Sequence, residues 1–474
     1  MEAPQGGLLE HSPSLECIFF LKSGTRMQEI EAWFKAGCGA GSARLEAVPG
    51  AGKTHLLVTL SRSMGPRDAI VAFSRDIKNE LERRVKPGSP VTTVHAMGLR
   101  WLKEQARSLL GKDVKVEAHK LTRLARALGE DARGARELAA QAEMCLLKLR
   151  PPQDQAVRNL LEAAWKDFRE SGTLTFCEML SYPARLAKTP TFERLLVDEA
   201  QDLSMAALKL VKTLSKEQLY CGDRYQSIFD FAGAEAGSME RIERECAVHF
   251  EAPITRRCPQ EVVSLARRYN SKLEAASNAP QGEVLHLSAE EAVQGAGPGS
   301  LVLARSSKEL LQVAVSLHAL GRPCTLRGDA LDRLIDLARR LPDLERDPLG
   351  ALERAFDAAE DPEALESDLM ALARLIEAGL DSHSLLAGFA SALGTPQSDS
   401  VVLSSMHRAK GLEAPEVTLL SLESDLPAGL EAAQQERNLR YVALTRVNAH
   451  GSDPIGGRLR LAGNREQAAS WLQA

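Results

Sequence analysis

The first residues that could do chemistry lie in a glycine-rich segment, Ala47-Val-Pro-Gly50-Ala-Gly52-Lys53-Thr54. It matches the Walker A pattern except that Ala47 stands in place of the first glycine. The glycines let backbone N–H groups turn around an anion, and the positive end of the following helix adds to the attraction. Lys53 would reach the β- and γ-phosphates of a nucleotide, and the Thr54 hydroxyl would bind Mg²⁺. An ordinary glycine-rich turn is the alternative, which the apolar segments on both sides disfavour.

A second group of reactive side chains follows in Leu195-Leu-Val-Asp198-Glu199-Ala-Gln201-Asp202, where adjacent carboxylates come directly after an apolar run. Asp198 would hold Mg²⁺, and Glu199 would polarise the water that attacks a phosphate. Acidic residues after a strand often only cap the next helix. That alternative accounts for one carboxylate but not for the whole run beside an independent phosphate loop.

These side chains must be positioned by a sheet, and short apolar runs indicate one. Residues 43–48 predict a buried strand before the phosphate loop, and further runs lie at Ala69–Phe73, Leu195–Val197, Leu219–Cys221, Leu301–Ala304, Val401–Leu403 and Val417–Leu420. Most are followed by a helical pattern, which predicts parallel α/β sheets flanked by helices. Two stretches, at about 100–190 and 328–395, instead have apolar residues at helical spacing throughout and predict all-helical insertions.

The segment Asp198–Asp202 resembles motif II of the superfamily 1 DNA helicases of the UvrD/Rep type. Further segments resemble other motifs of that family, in the family's order: Ala69–Arg75 motif Ia, Thr92–Gly98 motif Ib, Gly222–Phe229 motif III, Thr255–Pro259 motif IV, Ser404–Glu413 motif V and Glu436–Arg446 motif VI. The resemblance spans residues 25–450 or so, and an ordered set of this length is not expected by chance.

The resemblance implies an α/β fold with two RecA-like P-loop domains and small all-helical accessory insertions. The predicted ranges of the first domain are 1–99 and 191–248, interrupted by an insertion at 100–190. The second domain is predicted at 249–328 and 396–474, interrupted by an insertion at 329–395.

The resemblance also implies ATP hydrolysis, with Mg²⁺, between the two domains. The predicted catalytic residues are Lys53, Glu199, Gln226, Arg257 and Arg446. Positive charge from the second domain would stabilise the γ-phosphate as charge spreads over its oxygens. Gln226 would sense that phosphate and relay its presence to the DNA side. The predicted metal ligands are Thr54 and Asp198.

Other residues would bind the rest of the nucleotide. Gln28 stands where the family has an adenine-reading glutamine, and Gly411 and Glu413 would contact ribose and phosphates. His55 and Arg256 occupy the places of the Arg and Tyr that usually sandwich adenine in the family, and both can still pack on a purine. The full predicted nucleotide-binding set is Gln28, Gly50, Ala51, Gly52, Lys53, Thr54, His55, Arg256, Gly411 and Glu413.

The predicted partner is single-stranded DNA, or DNA with a single-stranded tail. Phe73, Phe229 and Phe231 are candidates for stacking under bases, although a phenylalanine beside a strand is often part of the core. The resemblance implies that His95 and His407 contact the backbone. Ala232 stands where the family usually has an arginine, which removes one expected cationic contact.

Composition limits where nucleic acid can bind. With 59 basic and 64 acidic side chains and a net charge of −5, the chain lacks the basic excess of a protein that is coated by nucleic acid. Contact is therefore expected in a groove. The eight cysteines include no Cys-x-x-Cys pair, which indicates neither a zinc site nor a disulfide framework. We expect a soluble cytoplasmic protein associated with the nucleoid.

Three functions fit these patterns. The first is an ATP-dependent DNA helicase or translocase, with a 3′-to-5′ direction that rests on the resemblance alone. The second is a DNA-stimulated ATPase that acts as a translocase or DNA sensor in a repair or defence complex, without processive unwinding. The third, a regulatory P-loop ATPase, predicts hydrolysis that is indifferent to DNA.

Overall fold

The computed structural model describes residues 27–36, 41–229, 233, 237–328, 330–341, 343–358, 362–394, 400–420, 422, 426–449, 455–463 and 465–473. Within these ranges, no helix combines the length and the apolar character needed to cross a membrane.

The strands, in chain order, are β1 (Ala43–Ala47), β2 (Asp68–Ala72), β3 (Val91–Thr93), β4 (Lys115–Val116), β5 (Thr173–Leu174), β6 (Phe192–Val197), β7 (Ser215–Gly222), β8 (Val248–Ala252), β9 (Ile254–Thr255), β10 (Glu274–Ala275), β11 (Glu283–Leu287), β12 (Leu301–Ala304), β13 (Cys324–Leu326), β14 (Val401–Ser405), β15 (Glu416–Leu419) and β16 (Arg458–Ala462).

The helices, in chain order, are α1 (Met27–Ala36), α2 (Lys53–Ser61), α3 (Arg75–Arg84), α4 (Val94–Leu110), α5 (Lys120–Ala127), α6 (Ala132–Leu147), α7 (Gln155–Ser171), α8 (Phe176–Leu186), α9 (Met205–Leu214), α10 (Ser238–Glu245), α11 (Gln260–Ala266), α12 (Ala289–Gln294), α13 (Ser307–Ala319), α14 (Ala330–Arg339), α15 (Pro348–Asp357), α16 (Pro362–Glu377), α17 (His383–Gly394), α18 (Leu430–Leu444) and α19 (Arg465–Gln473). Short 3₁₀ turns lie at Ala200–Asp202 and Arg224–Gln226.

The first sheet has the order β3-β2-β6-β7-β1-β8, and all its neighbouring strands are parallel. Its inner strands are nearly continuous apolar runs; β2, for example, is buried along its whole length, as expected when helices cover both faces. Because β6, β7 and β1 are adjacent, their carboxyl ends meet at the centre of one edge. The residues that follow Ala47, Val197 and Gly222 are thereby brought together.

The second sheet has the order β11-β16-β15-β12-β14-β13 and is also entirely parallel. Its core includes Leu301, Leu303, Val417 and Leu459, all buried. The predicted fold class is confirmed: the chain forms two RecA-like α/β units, each a parallel sheet flanked by helices.

Strand β8 extends the first sheet beyond the predicted limit of that domain. It pairs with β1 from Ala43↔Val248 to Ala47↔Ala252, so the sheet runs four residues past 248. In this edge strand only Phe250 is fully buried, and an edge strand gives no continuous apolar run from which to assign it. The other domain limits stay predictions.

The two insertions have different cores. Helices α4 to α8 form the first, together with a two-residue parallel pair of β4 and β5 that the apolar pattern did not predict. Its Lys120 is fully buried and donates to Glu178 at 3.0 Å and to two backbone carbonyls. Helices α14 to α17 form the second insertion, whose apolar side chains share a core with α13.

Candidate active site

The phosphate loop connects β1 to α2 and is shaped by two glycines in the left-handed region. Gly50 has φ +72° and Gly52, which caps α2, has φ +99°, conformations that cost a residue with a side chain about 1–2 kcal/mol. Lys53 is the first residue of α2, and its Nζ donates to the carbonyl of Ala47 at 3.1 Å. The lysine thus lies at the N-terminus of a helix, where backbone N–H groups and the helix dipole favour an anion.

Gly50 also joins the loop to the second unit. Its carbonyl accepts a hydrogen bond from the Arg256 N–H at 3.1 Å. A Cβ at Gly50 would lie 2.4 Å from the Cβ of Arg257 and 2.9 Å from the Thr255 hydroxyl. The phosphate loop and the segment Thr255–Pro259 are therefore in direct contact, and only glycine fits between them.

The carboxylates follow β6 and are held in an unusual backbone conformation. Asp198 is 5% exposed, and Glu199 adopts φ +51°, ψ +45°. Strain of this kind costs on the order of 1–3 kcal/mol in a residue other than glycine. The Glu199 N–H donates to Asp198 Oδ1 at 3.0 Å. The sharp turn places both carboxylates at the carboxyl edge of the sheet rather than along a helix.

Burial and charge separate the two carboxyl groups. Burial, together with the neighbouring charge of Glu199, raises the pKa of Asp198. Burial alone would also raise the pKa of Glu199, but Lys410, Lys53 and Arg446 outweigh it and lower that pKa. Glu199 is therefore ionised at neutral pH and able to accept a proton from water.

Gln226 and Arg446 connect the two units beside these carboxylates. Arg446 Nη2 donates to Gln226 Oε1 at 3.2 Å, and Gln226 Nε2 donates to Asp223 Oδ2 at 2.8 Å. Arg446 is 1% exposed, and burial, reinforced by the charge of Arg257, lowers its pKa. Its Nε donates to the Val442 carbonyl at 2.8 Å, which fixes the guanidinium on the last turn of α18.

Arg257 lies between the phosphate loop and the end of α18. Its Nε is 2.7 Å from Glu413 Oε2, and its Nη1 donates to the Thr445 carbonyl at 3.5 Å. Asn448 Nδ2 donates to the other oxygen of Glu413 at 2.8 Å. Glu413, predicted to contact ribose, here orients Arg257.

Three residues of this site were missed from the sequence. Gln201 is fully buried, donates to Glu199 and accepts the Asp223 N–H at 3.1 Å. Asp202 forms an ion pair with Lys410 of the second unit, whose Nζ also lies 3.5 Å from Glu199 Oε2. All three residues lie within the recognised motifs, so the sequence already marked them as candidates. Their roles depend on contacts with residues distant in the chain, such as that between Asp202 and Lys410.

The other residues predicted to bind nucleotide are brought together less closely than the predicted catalytic residues. Gln28 is exposed on α1, which packs beside α2, and His55 is exposed on α2 itself. Arg256 is exposed next to Gly50, and Gly411 is exposed with φ +89°. Their roles stay predictions.

Two of the predicted DNA-stacking residues contact each other. The rings of Phe73 and Phe229 are 5.3 Å apart and 28° from parallel. Both line an interdomain cleft of about 740 Å³, together with His407 and Lys410. The Lys410 Nζ lies 5.5 Å from the centre of the Phe229 ring, so the same lysine contacts the carboxylates and an aromatic wall of the cleft.

The remaining DNA candidates lie in different places. His95 lines a separate cavity of about 300 Å³ that also contains Phe73, and burial lowers its pKa. Burial, with a contribution from Arg305, lowers the pKa of His407 to about 4. Phe231 and Ala232 lie outside the described residues.

The donors predicted for Mg²⁺ fit that ion chemically. Thr54 and Asp198 offer oxygen atoms, the ligands that Mg²⁺ accepts alongside phosphate oxygens and water. The raised pKa of Asp198 reflects a buried negative charge beside Glu199, which a divalent cation would neutralise.

Comparisons with known proteins bear on this arrangement. The family model for the UvrD/REP helicase N-terminal domain matches residues 130–247, which include Asp198, Glu199 and Gln226. No curated protein gives a significant match.

Two solved structures of a viral helicase are similar to the chain at low identity. The arterivirus nonstructural protein 10 helicase in complex with DNA is 13% identical with a TM-score of 0.39, over 92% of this chain and 64% of that one. A crystal structure of the same helicase is 13% identical with a TM-score of 0.35, over 95% and 66%. This chain spans slightly less than two thirds of their length.

The domain match and the ordered motifs therefore agree. Asp198, Glu199 and Gln226 lie at one edge of the first sheet, where Arg446 of the second unit donates a hydrogen bond to Gln226. Residues 130–247 of the chain are thus similar to the N-terminal domain of the UvrD/REP helicases.

Proposed function

We propose that the chain is an ATP-dependent DNA helicase or translocase that moves on single-stranded DNA, in the 3′-to-5′ direction, and hydrolyses ATP between its two RecA-like units. The observation that carries the proposal is the contact of Gln226 with Arg446 beside Glu199. Phosphate-binding and water-activating groups come from one unit, and guanidinium groups come from the other.

Each group has a distinct task in this proposal. Lys53 and the N–H groups of its loop hold the β- and γ-phosphates, while ionised Glu199 accepts the proton of the attacking water. Arg446 and Arg257 stabilise the negative charge that develops on the transferred group. Mg²⁺, held by Thr54 and Asp198, would neutralise phosphate charge when bound.

DNA would occupy the cleft beside Phe73 and Phe229. Aromatic rings stack on any base, which supports binding that tolerates sequence. Lys410 contacts Asp202 and the Gln226 carbonyl on the nucleotide side and lies over Phe229 on the DNA side. A shift of the residues that bind nucleotide would therefore be passed through Lys410 to Phe229 in the DNA cleft.

The direct test is the ATPase rate with and without single-stranded DNA. We expect strong stimulation by DNA; a rate that DNA does not change would favour a regulatory ATPase and contradict the proposal. Partial duplexes with a 3′ or a 5′ tail then test unwinding and direction. Release of the strand only from the 3′-tailed duplex is the expected result.

A second candidate is a DNA-stimulated translocase or DNA sensor without processive unwinding, within a repair, replication or defence complex in the cytoplasm near the nucleoid. The compact second insertion favours it, since α14 to α17 occupy only residues 330–394. ATPase stimulation without release of a strand from either duplex would select this candidate.

A further inference from the structure

A cluster of charged side chains joins the strand before the phosphate loop to the segment that carries Gln226. Arg44 and Glu46 come from β1, Arg224 from the 3₁₀ turn, and Glu240 and Glu243 from α10. None of these residues belongs to the predicted site. The cluster lies at the opposite end of the 3₁₀ turn from Gln226.

Glu46 is the centre of the cluster. Its Oε1 accepts the backbone N–H of Arg224 at 2.8 Å, and its Oε2 accepts Arg224 Nε at 3.0 Å. Arg44, which is 2% exposed, donates to the same Oε2 at 2.6 Å. One carboxylate on β1 thus holds both the backbone and the side chain of Arg224.

The rest of the Arg224 guanidinium is directed to α10. Its Nη1 donates to Glu240 at 3.2 Å and its Nη2 to Glu243 at 2.8 Å. Burial alone would lower the pKa of Arg224, but the three carboxylates outweigh it and raise that pKa. Each of the three guanidinium nitrogens donates to a different carboxylate, an arrangement for which arginine is suited and lysine is not.

The two residues after Arg224 face the second unit instead. The Tyr225 ring packs edge-on against Tyr441 at 6.0 Å, and Gln226 accepts the hydrogen bond from Arg446. The turn therefore has one end fixed to β1 and α10 and the other end packed against the second unit. Its backbone hydrogen bonds include Gln226 N–H to the Asp223 carbonyl at 2.9 Å and Ser227 N–H to the Arg224 carbonyl at 3.4 Å.

We propose that Arg224 is a positioning residue that holds the 3₁₀ turn against β1. It thereby keeps Gln226 at a fixed position relative to the phosphate loop, where Gln226 can contact both Arg446 and the γ-phosphate. The inference rests on the proposed function insofar as Gln226 is expected to sense that phosphate. Arg224 lies outside the groups proposed to contact the nucleotide. Strand β1 leads into the phosphate loop and also carries Glu46, which holds the turn that contains Gln226.

A double-variant experiment tests this role. Arg224→Gln removes the fork but leaves Glu46 able to accept the backbone N–H, and Arg224→Lys restores the charge without the fork. Arg123→Gln is the matched control, since Arg123 forms a comparable bidentate pair with Glu117 at 2.8 and 3.0 Å in the first insertion. Each is combined with Gln226→Ala, and kcat and KM are measured with saturating single-stranded DNA.

We expect Arg224→Gln to lower kcat roughly ten- to hundredfold, as a misplacement of about 1 Å does, with little change in KM for ATP. Arg224→Lys should recover part of the loss. In the Gln226→Ala background Arg224→Gln should cost nothing further, because the residue it positions is gone. Arg123→Gln should leave kcat unchanged. Full additivity of the two losses would overturn the proposal.

Amide hydrogen exchange provides a second readout that does not need activity. Arg224→Gln should speed exchange at residues 223–227 while the preceding strand β7 stays protected, and Arg123→Gln should not speed it. Unchanged exchange at 223–227 overturns the positioning role, even in an active enzyme. If the wild-type chain has no ATPase activity, the proposed function is wrong. Faster exchange in Arg224→Gln would even then support the role of Arg224 in anchoring the turn.

Discussion

Arg446 Nη2 and Gln226 Oε1 are 3.2 Å apart across the boundary between the two RecA-like units. The two residues are separated by 220 positions in the chain. Both are buried, and both lie beside Glu199, whose pKa Arg446 helps to lower. This contact links a guanidinium of the second unit to the γ-phosphate sensor expected in the first.

Replacing Arg446 should affect the chemical step more than nucleotide binding. If its charge acts mainly on the transition state, as we propose, Arg446→Ala should slow hydrolysis about a thousandfold or more, as loss of an arginine finger does. Single-turnover hydrolysis and the affinity for a fluorescent ATP analogue measure the two effects separately. Arg437→Ala, on an exposed position of the same helix, is the control. Comparable losses in rate and affinity would contradict the role.

Lys53→Ala should abolish hydrolysis, because it removes the ammonium group that we propose contacts the phosphates at the N-terminus of α2. The folded structure should be retained, since within the described residues Lys53 Nζ donates a hydrogen bond only to the Ala47 carbonyl. The checks are steady-state ATPase and the rise in Tm on adding ATP with Mg²⁺, which should be lost or reduced. Wild-type turnover in this variant would refute the assignment of the phosphate loop.

Gly50→Ala should destabilise the chain more than a glycine-to-alanine change elsewhere with similar backbone strain. Gly88 is the matched control: its φ is +86° and an added Cβ meets nothing within 4 Å. Gly88→Ala should cost about 1–2 kcal/mol in the free energy of unfolding. Gly50→Ala should cost more, because its Cβ would collide with Arg257. If chemical denaturation shows the same loss in the free energy of unfolding for both variants, the two units can separate freely at the contact between Gly50 and Arg257.

The stacked phenylalanines should contribute to DNA affinity as a pair. Phe229→Ala should weaken binding of single-stranded DNA by about 1–3 kcal/mol, the value of one base stacked on an aromatic ring. Since Phe73 and Phe229 lie against each other, the double variant should lose less than the sum of the single losses. Fluorescence anisotropy measures the affinity, and Phe356→Ala, an exposed phenylalanine of the second insertion, should have no effect.

His407 should make stability depend on pH. Its pKa is lowered from 6.5 to about 4, chiefly by burial, so between those values the folded chain binds fewer protons than the unfolded chain. The free energy of unfolding therefore falls as pH decreases from 6.5 towards about 4. His407→Gln should reduce the fall in Tm over this range, whereas His383→Gln provides a matched loss of an imidazole in the second insertion. An unchanged pH profile in His407→Gln would show that burial does not keep this ring neutral.

Features that depend on neighbouring residues in the chain were predictable. The strand, glycine turn and helix around Lys53 follow from local patterns, because a phosphate loop needs no distant partner to form its N–H cradle. The two parallel sheets likewise follow from alternating apolar runs and helical segments. Asp198 and Glu199 were found for the same reason, since they directly follow a buried strand.

Features that depend on distant contacts were decided only by the tertiary structure. Strand β8 is recognisable as part of the first sheet only through its pairing with β1. The role of Lys410 is recognisable only from its ion pair with Asp202, and that of Arg224 only from its ion pair with Glu46. A single sequence does not distinguish a solvated charge from a buried ion pair. The sequence by itself determined which groups are candidates to bind phosphate and to activate water. The packing of the two sheets and their helices against each other decided which cations face those groups, since that depends on contacts between residues far apart in the chain.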